Sequence, residues 1–273
     1  MADEAAGIIL EEPKIKFQAV ATFLSQPSSK DKTINNVIMK KILSVAIFAL
    51  MAMAVAGCSD SKKSKEKVPG KQFITRRVDK PLYFNKVVLD GVLDVSFNQG
   101  DSLGVSIKGR KNVAKNVIVK IDNGTLMISL STKDLLRFDR SEKAQVYISS
   151  PDLLSVVMKG AGSFTSHGEI DTDTLNIQLL GAGNIEFESI ICDKADFNIR
   201  GAGDIEVDKL TAQSTEISLL GVGNAEIDFW NSGDVSCILG GVGNIELEGN
   251  VRSLTTSRRG TGRIDTSDLR VEK

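Results

Sequence analysis

The chain has 273 residues, a formal net charge of −1 and 5% aromatic residues. Nucleic-acid binding calls for a basic stripe, and a balance this close to neutral therefore predicts no nucleic-acid partner. Three cysteines are too few for a disulfide framework, and the length and composition fit one or two folded domains.

The first element along the chain is a targeting segment at residues 39–58, which read MKKILSVAIFALMAMAVAGC. Lys40 and Lys41 precede an apolar run that has the length of a signal-peptide core and is too short to span a membrane as a helix. The segment ends at Cys58 in a sequence that resembles a bacterial lipobox, which implies cleavage before Cys58 and diacylation of its thiol. Two acyl chains anchor a protein stably, whereas one is marginal. The alternative is a buried apolar helix.

This segment divides the N-terminal part of the chain. Met39 becomes the expected start of translation, and residues 1–38 an upstream extension, because so short a stretch rarely holds a core of its own; the alternative is a genuine N-terminal domain. Residues 39–57 are then the signal peptide, residues 58–70 a polar tether, and residues 71–273 a single folded domain.

The region between residues 71 and 159 predicts β-strands of irregular spacing. Apolar and polar residues alternate in six segments, as they do in half-buried strands. The sequence Asp122-Asn123-Gly124 separates two of these segments and predicts a hairpin. The segments begin at Val87, Val92, Leu103, Val117, Leu126 and Val146.

From about residue 154, a Gly-x-Gly motif returns six times, at intervals of 21, 20, 20, 20 and 19 residues. A constant period of this length is typical of a solenoid. Apolar residues recur at offsets of two on either side of each pair, which indicates two short strands in each turn. The glycines predict tight corners that need a positive φ or a close backbone approach. The pairs are Gly160 and Gly162, Gly181 and Gly183, Gly201 and Gly203, Gly221 and Gly223, Gly241 and Gly243, and Gly260 and Gly262.

We define a residue's offset as its distance in sequence from the first glycine of its pair. Residues with the same offset in successive turns form a column, and the apolar columns are predicted to point inward. These offsets place Leu154 and Trp230 in the core. They also make Cys237 a small core residue and leave it unpaired with Cys192, which lies at a different offset. In the last turn, Arg258 stands at an inward offset, which predicts the polar cap that a terminal repeat needs.

The outward residues that follow each corner are strongly acidic and form two columns if the turns stack in register. Carboxylates about 5 Å apart repel by roughly 1 kcal/mol per pair in water. One hypothesis is a cation-binding face, with Ca²⁺ the natural ion for oxygen ligands. The alternative is a solvated acidic face, and the motif lacks the nonapeptide spacing of calcium-binding β-rolls. The residues of this hypothesis are Glu186, Glu188, Glu206, Asp208, Glu226, Asp228, Glu246 and Glu248.

The outward residues before each corner are of a different kind. Leu180, Leu220 and Ile238 point outward there among polar neighbours. Scattered exposed apolar residues are normal, whereas a cluster of them would form a contact patch. His167 is predicted to be an ordinary surface histidine.

The repeated Gly-Ala-Gly-Asn/Asp and Gly-Val-Gly-Asn corners, the lipobox and the segment LDGVLDVSF at residues 89–97 together resemble a known family. It is the "putative auto-transporter adhesin" family with a head GIN domain, found in Bacteroides-type bacteria. The resemblance covers about residues 73–270. It implies a right-handed parallel β-helix, an adhesive role without catalytic residues, and an outer-membrane lipoprotein that faces the periplasm or the outside.

The sequence therefore favours a non-catalytic adhesin or binding module of the cell envelope, with a glycan or protein ligand and a membrane anchor at Cys58. A structural or envelope-assembly protein that self-associates is the first alternative. A carbohydrate-active β-helix enzyme is disfavoured, because nearly all carboxylates here follow the repeat, whereas a catalytic acid and base should break it. No cofactor is expected other than Ca²⁺. The ligand and the oligomeric state stay open.

Overall fold

The computed structural model describes residues 72–79, 81–131 and 143–272. The predicted upstream extension, the signal peptide, Cys58 and the polar tether lie outside these residues. Within the described ranges, no helix is both long enough and apolar enough to span a membrane.

The described residues are almost entirely β-strand. The first part of the fold contains β1 (Phe73–Arg77), β2 (Lys86–Asp90), β3 (Val92–Gln99), β4 (Gly104–Arg110), helix α1 (Lys111–Asn116), β5 (Val117–Asp122), β6 (Thr125–Leu130), β7 (Ala144–Ser150) and β8 (Ser155–Met158). The repeats contain β9 (Ala161–Leu179), β10 (Ala182–Ile199), β11 (Ala202–Leu219), β12 (Val222–Leu239), β13 (Val242–Arg258), β14 (Thr261–Asp265) and β15 (Leu269–Val271).

The strands of the repeat region stack in parallel, turn on turn. Ile185 of β10 pairs with Phe164 of the preceding turn and with Ile205 of the following turn, so equivalent offsets meet. Phenylalanine rings continue this stacking inside the core, where the rings of Phe164 and Phe187 lie 5.6 Å apart. The predicted all-β solenoid, with about six turns of roughly 20 residues, is confirmed.

The prediction of two short strands per turn is wrong. A single strand of 17 to 19 residues runs from corner to corner in β9 to β13. The ladder continues through the middle of the turn, where Cys192 pairs with Thr172 and Ala212. This stretch adds an inward column that has no common hydrophobic character, which is why its residues carry no periodic apolar signal. The column contains Thr172, Cys192, Ala212 and Ser232.

The Gly-x-Gly corners are tight for the reasons predicted. A Cβ atom on Gly221 would lie 2.1 Å from the carbonyl oxygen of Gly201, which belongs to the preceding turn. Gly223 has a φ of 147°, and a Cβ atom there would lie 1.8 Å from the carbonyl oxygen of Gly203. Only glycine satisfies both conditions, since L residues rarely adopt such a φ and no side chain fits the gap.

An additional corner precedes the six motifs. Strands β2 and β3 flank Gly91, β2 pairs with β8, and β3 pairs with β9. The sheet continues from β3 through β7 to β4 and β1, and the last two of these pairings are antiparallel. The predicted hairpin is confirmed, since β5 and β6 pair in antiparallel fashion and Asn123 and Gly124 both have a positive φ. Helix α1, with Val113 and Ala114 buried, was not predicted.

Most of the predicted inward residues are buried, with two corrections. Leu153 is fully buried, whereas Leu154 is only half-buried. Trp230 is not in the core: its side chain is 58% exposed, and Phe229 is buried in its place, opposite Leu210. The physical reason is a break in the strand register around Trp230, where the next residue, Asn231, adopts a φ of 50°.

The remaining core predictions are confirmed. Cys192 and Cys237 are buried and free. The final turn is polar, because Thr256 and Arg258 are exposed at offsets that are inward in earlier turns. The solenoid core therefore ends at a polar edge.

Candidate functional site

The acidic columns lie where the sequence placed them, on the outward side of the strands that follow the corners. Glu206 pairs in register with Glu186 of the preceding turn and Glu226 of the following turn, and Glu226 pairs with Glu246. Neighbouring strands in a sheet are about 4.8 Å apart. These four side chains therefore form one continuous carboxylate column on the solenoid surface.

Two carboxyl groups of the columns have raised pKa values. The pKa of Glu206 is raised, first by partial burial and then by Glu226 and other neighbouring carboxylates. The pKa of Glu248 is raised in the same way, by partial burial and then by Glu246, Asp268 and Asp228. The columns therefore present a negative potential that attracts cationic or hydrogen-bond-donating groups.

The cation-binding hypothesis stays a prediction. Among the described residues, no three His, Cys, Asp or Glu side chains converge as a metal site would require. Glu188 is already engaged by the preceding turn: its Oε1 lies 3.1 Å from Nδ1 of His167, and its Oε2 accepts from the backbone N–H of Gly168 at 2.6 Å. The Gly168 hydrogen bond, followed by His167, lowers the pKa of Glu188.

His167 is exposed, as predicted, and its partner is a surface carboxylate rather than a nucleophile. The two described cysteines are also poor nucleophiles. Burial raises the pKa of Cys237 to about 12, and burial followed by Asp193 and Asp196 raises that of Cys192 to about 12. Because the thiolate is the reactive form, neither thiol is activated at neutral pH.

The polar column that begins each acidic strand has a structural role. The backbone N–H of Asn224 donates to Oδ1 of Asp204 at 2.8 Å, and the backbone N–H of Asn244 donates to Oδ1 of Asn224 at 3.1 Å. The side chains thus continue the hydrogen-bonded ladder just past each corner. These hydrogen bonds between Asp204, Asn224 and Asn244 connect three successive turns.

The strands before the corners carry the predicted apolar residues on their outer side. Leu180, Leu220 and Ile238 are exposed by 40%, 47% and 43%. Val222 and Val242, directly within the corners, are exposed by 56% and 50%. Several exposed apolar residues of the repeats therefore lie at or near the corners.

A long groove of about 570 Å³ runs along the outside of the additional inward column. Several of its polar side chains are already hydrogen-bonded to neighbouring residues. Nε2 of Gln213 donates to Oδ1 of Asp193 at 2.5 Å, and Arg252 forms two hydrogen bonds with the carboxylate of Asp234. These hydrogen bonds connect side chains of neighbouring turns.

A second groove, of about 740 Å³, borders the exposed Trp230, and we name it the Trp230 groove. It lies at the last turns, beside the end of the acidic columns. Sequence reasoning missed it, because the column offsets placed Trp230 inside the core. The residues that shape its chemistry are Asp228, Trp230, Glu248, Asn250, Asp268 and Arg270.

Several solved structures similar to this chain come from Bacteroides and Parabacteroides species. A crystal structure of a "putative adhesin" from Bacteroides fragilis is 27% identical, has a TM-score of 0.61, and aligns over 72% of this chain and 97% of its own. A "putative adhesin" from Parabacteroides distasonis is 16% identical, with a TM-score of 0.43 and coverage of 71% and 96%.

A "putative lipid binding protein" from Parabacteroides distasonis is 18% identical, with a TM-score of 0.48 and coverage of 73% and 97%. No curated protein matched the sequence. The model of the family described as "Putative auto-transporter adhesin, head GIN domain" matches residues 83–208 and 196–273, which together make up most of the chain. The chain therefore belongs to the head GIN domain family of "putative auto-transporter adhesins".

Proposed function

We propose that this protein is a non-catalytic adhesin, which is anchored in the cell envelope through lipid on Cys58 and binds a glycan or protein ligand on the outer surface of its solenoid. The observation that carries this proposal is the in-register stacking of the turns. Because the turns stack in register, each outward position is repeated as a column, and a ligand contacts a rigid, periodic surface.

The arrangement of titratable groups supports binding rather than catalysis. The carboxylates of the columns repeat from turn to turn, whereas an acid and base pair occupies one asymmetric place. His167 is bound to Glu188 at the surface, and the pKa values of Cys192 and Cys237 are far above neutrality. His167 and the two thiols are therefore poorly suited to proton transfer or nucleophilic attack.

The sequence around Cys58 supports the anchor, because a basic segment, an apolar segment and a lipobox follow in the order that lipoprotein export requires. The test is a Cys58→Ala variant in the full chain. Mass spectrometry and membrane fractionation should show diacylation and membrane association in the unsubstituted protein, with both lost in the variant. An unacylated protein that still fractionates with membranes would contradict the anchor.

The adhesive role is tested by applying the detergent-solubilised full chain to an array of glycans and matrix proteins, with light scattering and product analysis of the bound ligands. An adhesin retains at least one ligand with unchanged covalent structure. An envelope-assembly protein would instead self-associate and retain none. Cleavage of a glycan would show that the protein is an enzyme and overturn the proposal.

A further inference from the structure

The Trp230 groove interrupts the repeat at one place. Trp230 is the single tryptophan of the chain, and its side chain is 58% exposed. Leu210 of the preceding turn and Gly249 of the following turn pair with Phe229, so the residues beside Trp230 in those turns are Thr211 and Asn250, neither of which is aromatic. Among the repeats, an indole ring therefore borders a polar groove only in the turn that contains Trp230.

The backbone that carries the indole is fixed from both neighbouring turns. Oγ1 of Thr211, in the preceding turn, donates to the carbonyl oxygen of Trp230 at 3.0 Å. In the following turn, Oδ1 of Asn250 accepts from the backbone N–H of Asn231 at 3.2 Å, and Nδ2 of Asn250 donates to Oδ1 of Asn231 at 2.6 Å. These contacts pre-organise the position of Trp230, which lowers the entropic cost of binding.

The indole has a cation on the side of the preceding turn and the groove on the side of the following turns. Nζ of Lys209, in β11, lies 5.3 Å from the ring centroid. The groove is formed by residues of β12 and β13 and by the segment around β15. An apolar ring surface thus borders a cavity whose volume is within the range of small-molecule sites, about 300–1,000 Å³.

The remaining groups of the groove favour a ligand rich in hydrogen-bond donors and without negative charge. Asp228, Glu248 and Asp268 supply acceptor oxygens, and Arg270 supplies donors. Acidic groups outnumber the single arginine, and partial burial, followed by neighbouring carboxylates that include Asp268 and Asp228, raises the pKa of Glu248. An anionic ligand would be repelled here.

We propose that the Trp230 groove binds an uncharged hexopyranose unit of a glycan, with a C–H face of the sugar stacked on the indole of Trp230 and its hydroxyls donating to Asp228, Glu248 and Asp268. A pyranose ring combines an apolar face with a rim of hydroxyl donors, and this groove combines an apolar ring with a rim of acceptors. The proposal rests on the proposed function, because it names the ligand class of the adhesin.

The test uses tryptophan fluorescence of the full chain, which reports on Trp230 alone. The probes are the neutral sugars lactose, maltotriose and mannotriose, and the anionic sugars sialyllactose and a heparin hexasaccharide. We expect a saturable change in emission with at least one neutral sugar, and binding of the anionic sugars that is at least about tenfold weaker, corresponding to about 1.4 kcal/mol. Absence of a saturable change with every neutral sugar, or tighter binding of the anionic ones, would overturn the site.

Variants measured by titration calorimetry complete the test. Trp230→Ala should weaken binding of the neutral sugar by about thirtyfold, as truncation of an interfacial hot spot does. Tyr83→Ala is the matched control, because Tyr83 is 53% exposed and lies outside the groove. Unchanged affinity in Trp230→Ala would refute the site. If Trp230→Ala also keeps the array ligands of the unsubstituted chain, only this site fails; if the unsubstituted chain retains no ligand, the proposed function itself fails.

Discussion

Substitution of a corner glycine tests whether the close approach of the turns holds the solenoid together. In Gly223→Ala, the new Cβ atom would lie 1.8 Å from the carbonyl oxygen and 2.7 Å from the carbonyl carbon of Gly203. The φ of 147° costs an L residue about 1–3 kcal/mol before any overlap is counted. Because the overlap is with backbone, only separation of the two turns relieves it. We therefore expect a loss of more than about 4 kcal/mol in the free energy of unfolding, a range that single substitutions rarely reach.

The assay is guanidinium unfolding of the full chain followed by far-UV circular dichroism, with two glycine controls. Gly168 has a φ of 76° and open space around the Cβ position, so Gly168→Ala should cost only about 1–2 kcal/mol. Gly100 has no positive φ and would meet side-chain atoms no closer than 3.6 Å, so Gly100→Ala should change stability by less than about 0.5 kcal/mol. A Gly223→Ala variant as stable as Gly168→Ala would refute the role of close approach.

Three further measurements test the charges and thiols. Arg252 is the main cause of the low pKa of Asp234, which is about 2, so Arg252→Ala should raise that pKa in an NMR titration. The stability that this pair contributes is present above the ordinary Asp pKa and should be lost as pH falls toward 2. Burial and Glu226 raise the pKa of Glu206, so native stability falls as pH rises through that pKa. Because Glu226→Gln removes repulsion between the two carboxylates, it should raise Tm at neutral pH by about 2 °C in low salt and much less in about 1 M salt. Cys192, with its pKa of about 12, should resist maleimide labelling at neutral pH until denaturant is added, as mass mapping can show.

The corners and most of the core were predictable because their cause is local and repeated. Each Gly-x-Gly pair meets the same steric limit against the turn before it, so the sequence must supply glycine every time. Apolar residues at offsets of two were equally reliable. The partial turn at Gly91 follows the same logic, although Leu93 stands where later turns have a second glycine. A single Asp-Gly pair, at Asp90 and Gly91, is equally typical of an ordinary turn between strands.

The additional column and helix α1 were not predictable, for different reasons. Thr172 and Cys192 share no apolar signal, since a narrow inward position accepts any small side chain. The helix has six residues, fewer than the two turns that a helical period needs to be visible, and it is stabilised by burial of Val113 and Ala114.

The candidate sites show the same difference between features that repeat in every turn and features that occur once. The columns of Glu186 and Glu206 could be predicted because an outward residue keeps its offset from the corner as long as the turns stay in register. Trp230 could not be, because a register break moved Phe229 into its expected place. At the break, Asn231 pairs with Asn250 of the following turn, a contact that no local pattern reveals.

Adherence of living cells tests the central claim most directly. Bacteria that normally produce this protein would be compared with a deletion strain, and with the deletion strain complemented by the full chain or by Trp230→Ala, on surfaces coated with the ligand found on the array. The account predicts that deletion reduces adherence and that the full chain restores it, with the coating chemically unchanged. Equal adherence of the deletion strain and its parent, or release of cleaved glycan from the coating, would contradict it.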